Sequence, residues 1–355
     1  MRRERTTLLV ALLGLAAGCG GGGRELLVYS PHGRDHLRAY EEGFEAENPG
    51  IDVLWVDMGS QEILDRVRSE RANPQADIWF GAPSDMFDRA AEEGLLAPYR
   101  PVWADGVPEE ERAPGDEWTG LYRTPEVIAF NDEAVAPEDV PRTWDAVLDP
   151  RWDDEIVIRD PLASGTMRTV FAAIIYREYE RTGTIEAGYD WLLRLDAHTR
   201  EYVLNPTILY QKLSRREGLI TLWNMPDIEI LRATTDFPID YVLPEDGTPV
   251  VIDAVGIVAG TDEPEMARRF VDFVGTEESL RIAAERFFRI PVRTDVDLSA
   301  MPEWLREALP RIRPMPLDRE FIRERAPEWL RHWDREIRGR GDRHATRRGS
   351  STGFW

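Results

Sequence analysis

The sequence predicts an α/β protein in two lobes, each a largely parallel sheet covered by helices. Apolar runs of strand length alternate with segments of helical periodicity, the pattern of crossover units. The alternation occurs twice, on either side of an extended stretch at 120–130. The roughly 340 residues behind the apolar N-terminus are long for one core and natural for two.

The first set opens with a buried strand at 25–30. A helix follows at about 35–48, with Leu37, Tyr40 and Phe44 at helical spacing and Pro49-Gly50 as its stop. A strand at 51–58 leads to a helix capped by Ser60 and carrying Ile63, Leu64 and Val67, then a strand at 76–80 and a helix at 85–93 ended by Gly94. The second set has a strand at 155–159, helices at 166–178, 188–195 and 207–215, and a strand at 219–223. An apolar strand at 250–259 and helices at 264–273 and 277–286 come next. Helical segments at 302–309 and 318–338 carry Trp304, Trp329 and Trp333, which read as packing residues.

The N-terminus has a different character. Arg2, Arg3 and Arg5 precede an apolar stretch at 6–17, the form of an export signal, and that stretch is shorter than the roughly 20 residues needed to span a bilayer. Leu15-Ala16-Ala17-Gly18-Cys19 resembles a bacterial lipobox, with alanine at 16 where leucine is commoner. Cys19, the only cysteine, would then carry a lipid, and an ordinary signal peptide with an incidental cysteine is the alternative. The expected division is a signal peptide at 1–18, a lipidated cysteine and glycine tether at 19–24, a first lobe at 25–121 plus 256–338 that includes the C-terminal helices, a second lobe at 122–255, and a disordered basic tail at 339–355.

Composition excludes several classes. With 66 acidic against 44 basic side chains the net charge is −22, a poor match for nucleic acid. Lys212 is the only lysine, and one cysteine permits no disulfide within the chain. A secreted hydrolase is the competing class, but there is no Gly-x-Ser-x-Gly elbow, no His-Glu-x-x-His zinc motif and no recognisable histidine ligand spacing. No catalytic residue, resident metal or cofactor is expected.

In α/β sheets ligands bind beyond the carboxyl ends of the strands. That points to four loops: Ser30-Pro31-His32-Gly33, Gly81-Ala82-Pro83-Ser84, 160–166 and 224–227. Ser164-Gly165-Thr166 follows a strand and opens a helix, so free backbone N–H groups and two hydroxyls would cradle an anion; simple capping by Ser164 or Thr166 is the alternative. Ser30, Ser84 and His32 would add hydrogen-bonding groups from the first lobe, with a half-solvated loop histidine as the alternative for His32. Asp227 would meet an amine or hydroxyl of the ligand, or cap its helix. Arg159 and Arg168 flank the cradle, with surface pairing as their alternative, and Asp253 and Arg123 lie on the strands joining the lobes.

A series of motifs in order resembles the bacterial extracellular solute-binding proteins of ABC importers, in the branch with ferric-ion-, phosphonate- and sugar-phosphate-binding members. They are Leu27-Val28-Tyr29-Ser30, Ala76-Asp77-Ile78-Trp79-Phe80-Gly81, Glu93-Gly94-Leu95-Leu96-Ala97-Pro98-Tyr99, Pro141 to Trp152, Asp160 to Thr166, Asn205-Pro206-Thr207, Asn224, and Arg289-Ile290-Pro291-Val292-Arg293. The resemblance implies a bilobed type II periplasmic-binding-protein fold with hinge strands near 121–130 and 250–257. It implies a monomeric receptor that closes on a small anionic solute and presents it to an inner-membrane permease, tethered to the periplasmic or cell surface by its lipid. It implies that the segment at 164–166 holds a phosphate, phosphonate or synergistic anion, helped by the amides of Asn205 and Asn224, for which turn or cap chemistry is the alternative. A ferric-iron receptor with a synergistic anion is the alternative. Pro226 and Asp227 stand where ferric-binding relatives carry a tyrosine pair, the Gly81 loop replaces their glutamate, and His32 is one position off their histidine.

Overall fold

The computed structural model describes residues 23–341; the apolar leader, Cys19 and the tail from 342 lie outside the described residues. The first lobe begins with β1 (Arg24–Ser30), α1 (Arg34–Glu47), β2 (Ile51–Asp57), α2 (Ser60–Ser69), β3 (Ile78–Pro83), α3 (Ser84–Glu92) and β4 (Leu96–Ala97). β5 (Thr119–Phe130) leads into the second lobe. That lobe holds β6 (Ile156–Arg159), α4 (Gly165–Thr182), α5 (Glu186–His198), β7 (Thr199–Val203), α6 (Pro206–Ser214), β8 (Ile220–Asn224), α7 (Met225–Thr234) and β9 (Asp240–Val242). β10 (Val250–Val258) returns to the first lobe, followed by α8 (Pro264–Val274), α9 (Glu277–Phe287), β11 (Ile290–Pro291), α10 (Glu303–Ala308) and α11 (Arg319–Glu336).

The strand order is β2-β1-β3-β10-β5-β8-β6-β7, with β4 on β10 and both β9 and β11 on β5. β1 is parallel to β2 and β3, and β6 to β7 and β8, as crossover helices require. β6 and β8 are apolar along most of their length because helices cover both faces of a parallel sheet. β10 and β5 instead run antiparallel to their neighbours. β5 joins the lobes: its first half pairs with β10, and 126–130 pairs with β8.

The chain therefore changes sheet at 125–126, and all of β10 belongs to the first sheet. The expected boundaries at 121–122 and 255–256 fall inside strands, because nothing in the apolar pattern marks where one unbroken strand leaves a sheet. β7 was not expected. Its Thr-Arg-Glu-Tyr-Val sequence is half-exposed on a sheet edge, where charged side chains replace the apolar signal.

The C-terminal helices divide differently from the expectation that both belong to the first lobe. α11 straddles the lobes. Near its start, Arg323 pairs with Glu92 at 2.5 Å and Arg319 donates to the Glu110 carbonyl at 3.1 Å, both in the first lobe. Its far end packs on α4, where Trp333 meets Phe171 edge to face at 5.3 Å. Arg338 then reaches Asp160 at 2.6 Å. The expected start of the disordered tail is also too early, since the backbone N–H groups of Gly339, Arg340 and Gly341 all donate to the buried Asp196 carboxylate. No described helix is long and apolar enough to cross a membrane.

Candidate functional site

A cavity of about 660 Å³ lies between the lobes, and five helices point their N-termini at it: α1 and α2 from the first lobe, α4, α6 and α7 from the second. Each such end carries unsatisfied N–H groups and the positive pole of the helix dipole. How each end is finished decides what it has left to offer.

Gly33 and Gly59, the N-cap residues of α1 and α2, have extended backbones and supply no side-chain acceptor; Ser60, expected as the cap of α2, is instead its first helical residue. The second-lobe helices cap themselves. Ser164 Oγ accepts from Met167 N at 3.3 Å, Asn205 Oδ1 from Thr207 N at 2.7 Å, and Asn224 Oδ1 from Asp227 N at 2.9 Å. In α6 and α7 a proline also removes one N–H from the first turn. In α4 the cap takes only Met167 N, which leaves Gly165 and Thr166 with open N–H groups. The anion-holding and capping readings of Ser164, Asn205 and Asn224 thus both bear on geometry, and the capping bonds are made.

Gly165 is required at its place. A Cβ there would sit 2.8 Å from Pro83 and 3.2 Å from Ser60 Oγ, so the second lobe's helix end touches the first lobe at this glycine. The lobes also meet where Arg289 lies 3.4 Å from Asp227 and Arg168 lies 3.4 Å from Asp85. The opposing turn is strained. Gly81 and Ala82 have φ of +85° and +109°, and Ala82 holds a conformation that side chains avoid. Asp253 steadies that turn, accepting from Thr124 Oγ1 at 2.6 Å and from the Ala82 backbone.

Several buried ionisable groups set the electrostatics of the cleft. Arg159, half-buried at the end of β6, has no acceptor on Nε and lies over the Trp223 ring at 5.7 Å; burial lowers its pKa from the ordinary arginine value. Arg289 is buried with its Nε equally unpartnered. Burial raises Asp253, and it pushes Glu126, beneath the cleft on β5 with both carboxylate oxygens unpartnered, well above the usual carboxylate range; Asp253 and Asp227 add repulsion. Burial, with Arg289 nearby, holds His32 well below the ordinary histidine pKa and so neutral.

The structure brings His32, Ser164, Gly165, Thr166, Asn205, Asn224 and Asp227 to one cavity. Three expected residues are not among its walls. Ser30 is fully buried, its Oγ accepting from His32 N at 3.2 Å, so it shapes the loop instead. Gly81 stands behind His32, whose Nε2 would lie 2.5 Å from a Cβ there. Ser84 lines a different cavity. Asp227 is neither a free ligand partner nor a simple cap: its carboxylate receives Asn224 Nδ2 at 3.0 Å, Trp223 Nε1 at 3.2 Å, Tyr210 Oη at 3.3 Å and Arg289 at 3.4 Å. Arg123 pairs with Glu111 at 2.7 Å, away from the cleft, and Arg168 also lines the other cavity.

Sequence reasoning missed Arg289, Tyr210 and the glycine N-caps. The signal for Arg289 was a single arginine between Phe287-Phe288 and Ile290-Pro291, where a charge amid apolar residues needs an internal reason. Among the described residues no three His, Cys, Asp or Glu side chains converge as a metal site. A hard trivalent cation wants several anionic oxygens, and Arg159 and Arg289 oppose it.

A family model described as "Bacterial extracellular solute-binding protein" matches residues 73–325. The chain is 28% identical over 270 residues to a probable ABC transporter periplasmic-binding protein, y4fP, of Sinorhizobium fredii, covering 75% of this chain and 74% of that one. It is 26% identical over 291 residues to iron uptake protein A1 of Synechocystis, covering 79% of each. Among solved structures, the periplasmic binding protein AfuA of Actinobacillus pleuropneumoniae, with fructose-6-phosphate bound, superimposes with a TM-score of 0.77 at 22% identity, over 90% of this chain and 99% of that one. At that identity the likeness concerns the fold.

Proposed function

The chain belongs to the bacterial extracellular solute-binding proteins, and we propose that the solute it carries as receptor of an ABC importer is a small organic anion bearing a phosphate, phosphonate or carboxylate. One observation carries this reading: open helix N-termini of α1, α2 and α4 converge on a cavity that also holds the acceptor-free Nε of Arg159. The anion supplies what these donors lack. His32 and Thr166 line the same space and complete the binding residues, while Asn205 and Asn224 line it as the caps of their own helices.

The chain binds and does not turn over its solute. Contacts of one molecule with both walls favour the closed arrangement, in which Gly165 meets Pro83, and that arrangement is what a membrane permease would recognise. Cys19 would carry the lipid that keeps a monomeric receptor at the outer face of the membrane. Replacing it by serine should move the protein from the membrane to the soluble fraction, and retention at the membrane would refute the anchor.

A melting-temperature screen against fructose 6-phosphate, phosphonates, citrate and Fe³⁺ with phosphate tests the solute class, since a ligand selective for the native state raises the midpoint. One organic anion should stabilise the protein, and Arg159→Gln should weaken its binding by roughly 10- to 100-fold, the worth of a charge-assisted bond. Stabilisation by Fe³⁺ alone, unaffected by Arg159→Gln, would favour the iron reading.

A further inference from the structure

A second cavity of about 490 Å³ lies between the lobes and shares only Pro83 and Val251 with the cleft. Its walls come from α3 of the first lobe, α4 of the second, β10 at their junction, and α11. Ser84, which sequence reasoning gave to the solute cleft, lines this space instead.

Arg168 on α4 brings to this cavity donors that lack hydrogen-bond acceptors. It is only 6% exposed, and neither its Nε nor its Nη2 has a hydrogen-bond acceptor. Asp85 lies 3.4 Å from that Nε, an ion pair that makes no hydrogen bond and does not reach Nη2. Arg112, from the first lobe, also has an Nε without an acceptor, and its carboxylate neighbour Asp116 stands 3.8 Å away. Buried guanidinium donors left unmade are costly, and the acceptor that fits their planar fork is a carboxylate.

The other walls limit what that carboxylate belongs to. Trp118, Val251, Ile252, Leu317 and Ile322 offer an apolar surface, which suits a hydrocarbon or aromatic body. Asp85, Asp88, Glu109, Glu110 and Glu320 also line the cavity, outnumbering Arg112, Arg168, Arg319 and Arg323, and would repel a second negative charge. We infer that this cavity binds a small organic acid with one carboxylate and an apolar body, held by Arg168 and touching both lobes. The site is separate from the solute cleft and does not depend on what the cleft binds.

The probes are benzoate and phenylacetate, added to the purified protein labelled with fluorotryptophan. The Trp118 fluorine resonance is assigned by its loss in Trp118→Phe. A saturable shift of that resonance with an affinity of about 1 mM or tighter is expected. Arg168→Gln should weaken it about tenfold or more. Thr169→Trp, which fills the cavity from a half-buried position on α4, should abolish it. Arg159→Gln, which weakens the cleft, should leave it unchanged, so failure here and failure of the cleft reading are separable. Absence of a saturable shift, an unchanged affinity in folded Arg168→Gln, survival of the shift in folded Thr169→Trp, or its loss in Arg159→Gln would each overturn the inference.

Discussion

On the first-lobe wall of the cleft, α1 and α2 begin at Gly33 and Gly59, which bring no side chain to the helix end; on the second-lobe wall, α4, α6 and α7 begin at Ser164, Asn205 and Asn224, each capping its own helix. The difference separates two uses of one motif. A serine or asparagine cap satisfies part of the helix end from within, and a proline in the first turn removes more. A glycine cap leaves that end for something else. The open donors are therefore weighted towards the first lobe, with α4 as the second lobe's contribution beside Arg159.

The largest effect should come where the two walls touch. Gly165→Asp places a side chain against Pro83 and a negative charge at the open end of α4, and should lower affinity for the stabilising anion about 100-fold or more by calorimetric titration. Gly165→Ala carries the steric part alone. If alanine binds like the unmodified protein, closure does not run through this contact. Next in size is a transplant of one wall's chemistry to the other. A Cβ at Gly33 would meet nothing within 4 Å, and the extended backbone there, with φ of −67°, suits any residue, so Gly33→Asp fits and would cap α1. Solute affinity should fall about tenfold while the melting temperature holds or rises, because aspartate caps roughly a few tenths of a kcal/mol better than glycine. An affinity that does not change would mean that α1 offers the solute nothing.

Asn205→Ala reverses the pattern. Loss of the Thr207 cap should cost about 1 kcal/mol of stability in denaturant melts, with affinity altered less than about threefold. A larger loss of affinity than of stability would return Asn205 to the anion and erase the contrast between the walls. The smallest effect concerns the floor. Folding raises the Glu126 pKa, so the native state binds the proton more tightly than the unfolded chain and loses stability as pH climbs from the ordinary carboxylate pKa towards the raised one. Glu126→Gln should raise the melting temperature by about 2 °C near pH 8 and by little near pH 5. An equal gain at both pH values would show that the carboxyl does not titrate in that range.

Much of this architecture was legible because strand and helix signals obey local rules. Leu37, Tyr40 and Phe44 recur at helical spacing and are buried on α1; the 155–159 and 219–223 runs are buried strands. The Ser164, Asn205 and Asn224 caps were visible as residue types, yet type alone does not say whether an oxygen serves its own helix or a guest. Arg289 was missed and Ser84 misplaced for a related reason. One lies far along the chain from the residues it meets, Asp227 being in the other lobe, and the other faces a cavity that exists only once α3, α4 and α11 are assembled.

Taken alone, the sequence determined the alternation of strands and helices, the doubling of that pattern, the acidity of the chain and the helix starts that end in strand-end loops. These follow from side-chain periodicity and from capping chemistry, which act within a few residues. Only the tertiary structure decided where β5 passes from one sheet to the other, that α11 lies across both lobes, which arginines are left without acceptors, and that two cavities flank Pro83 and Val251. Those outcomes depend on contacts between distant segments and on what burial removes from water, and no local pattern encodes either.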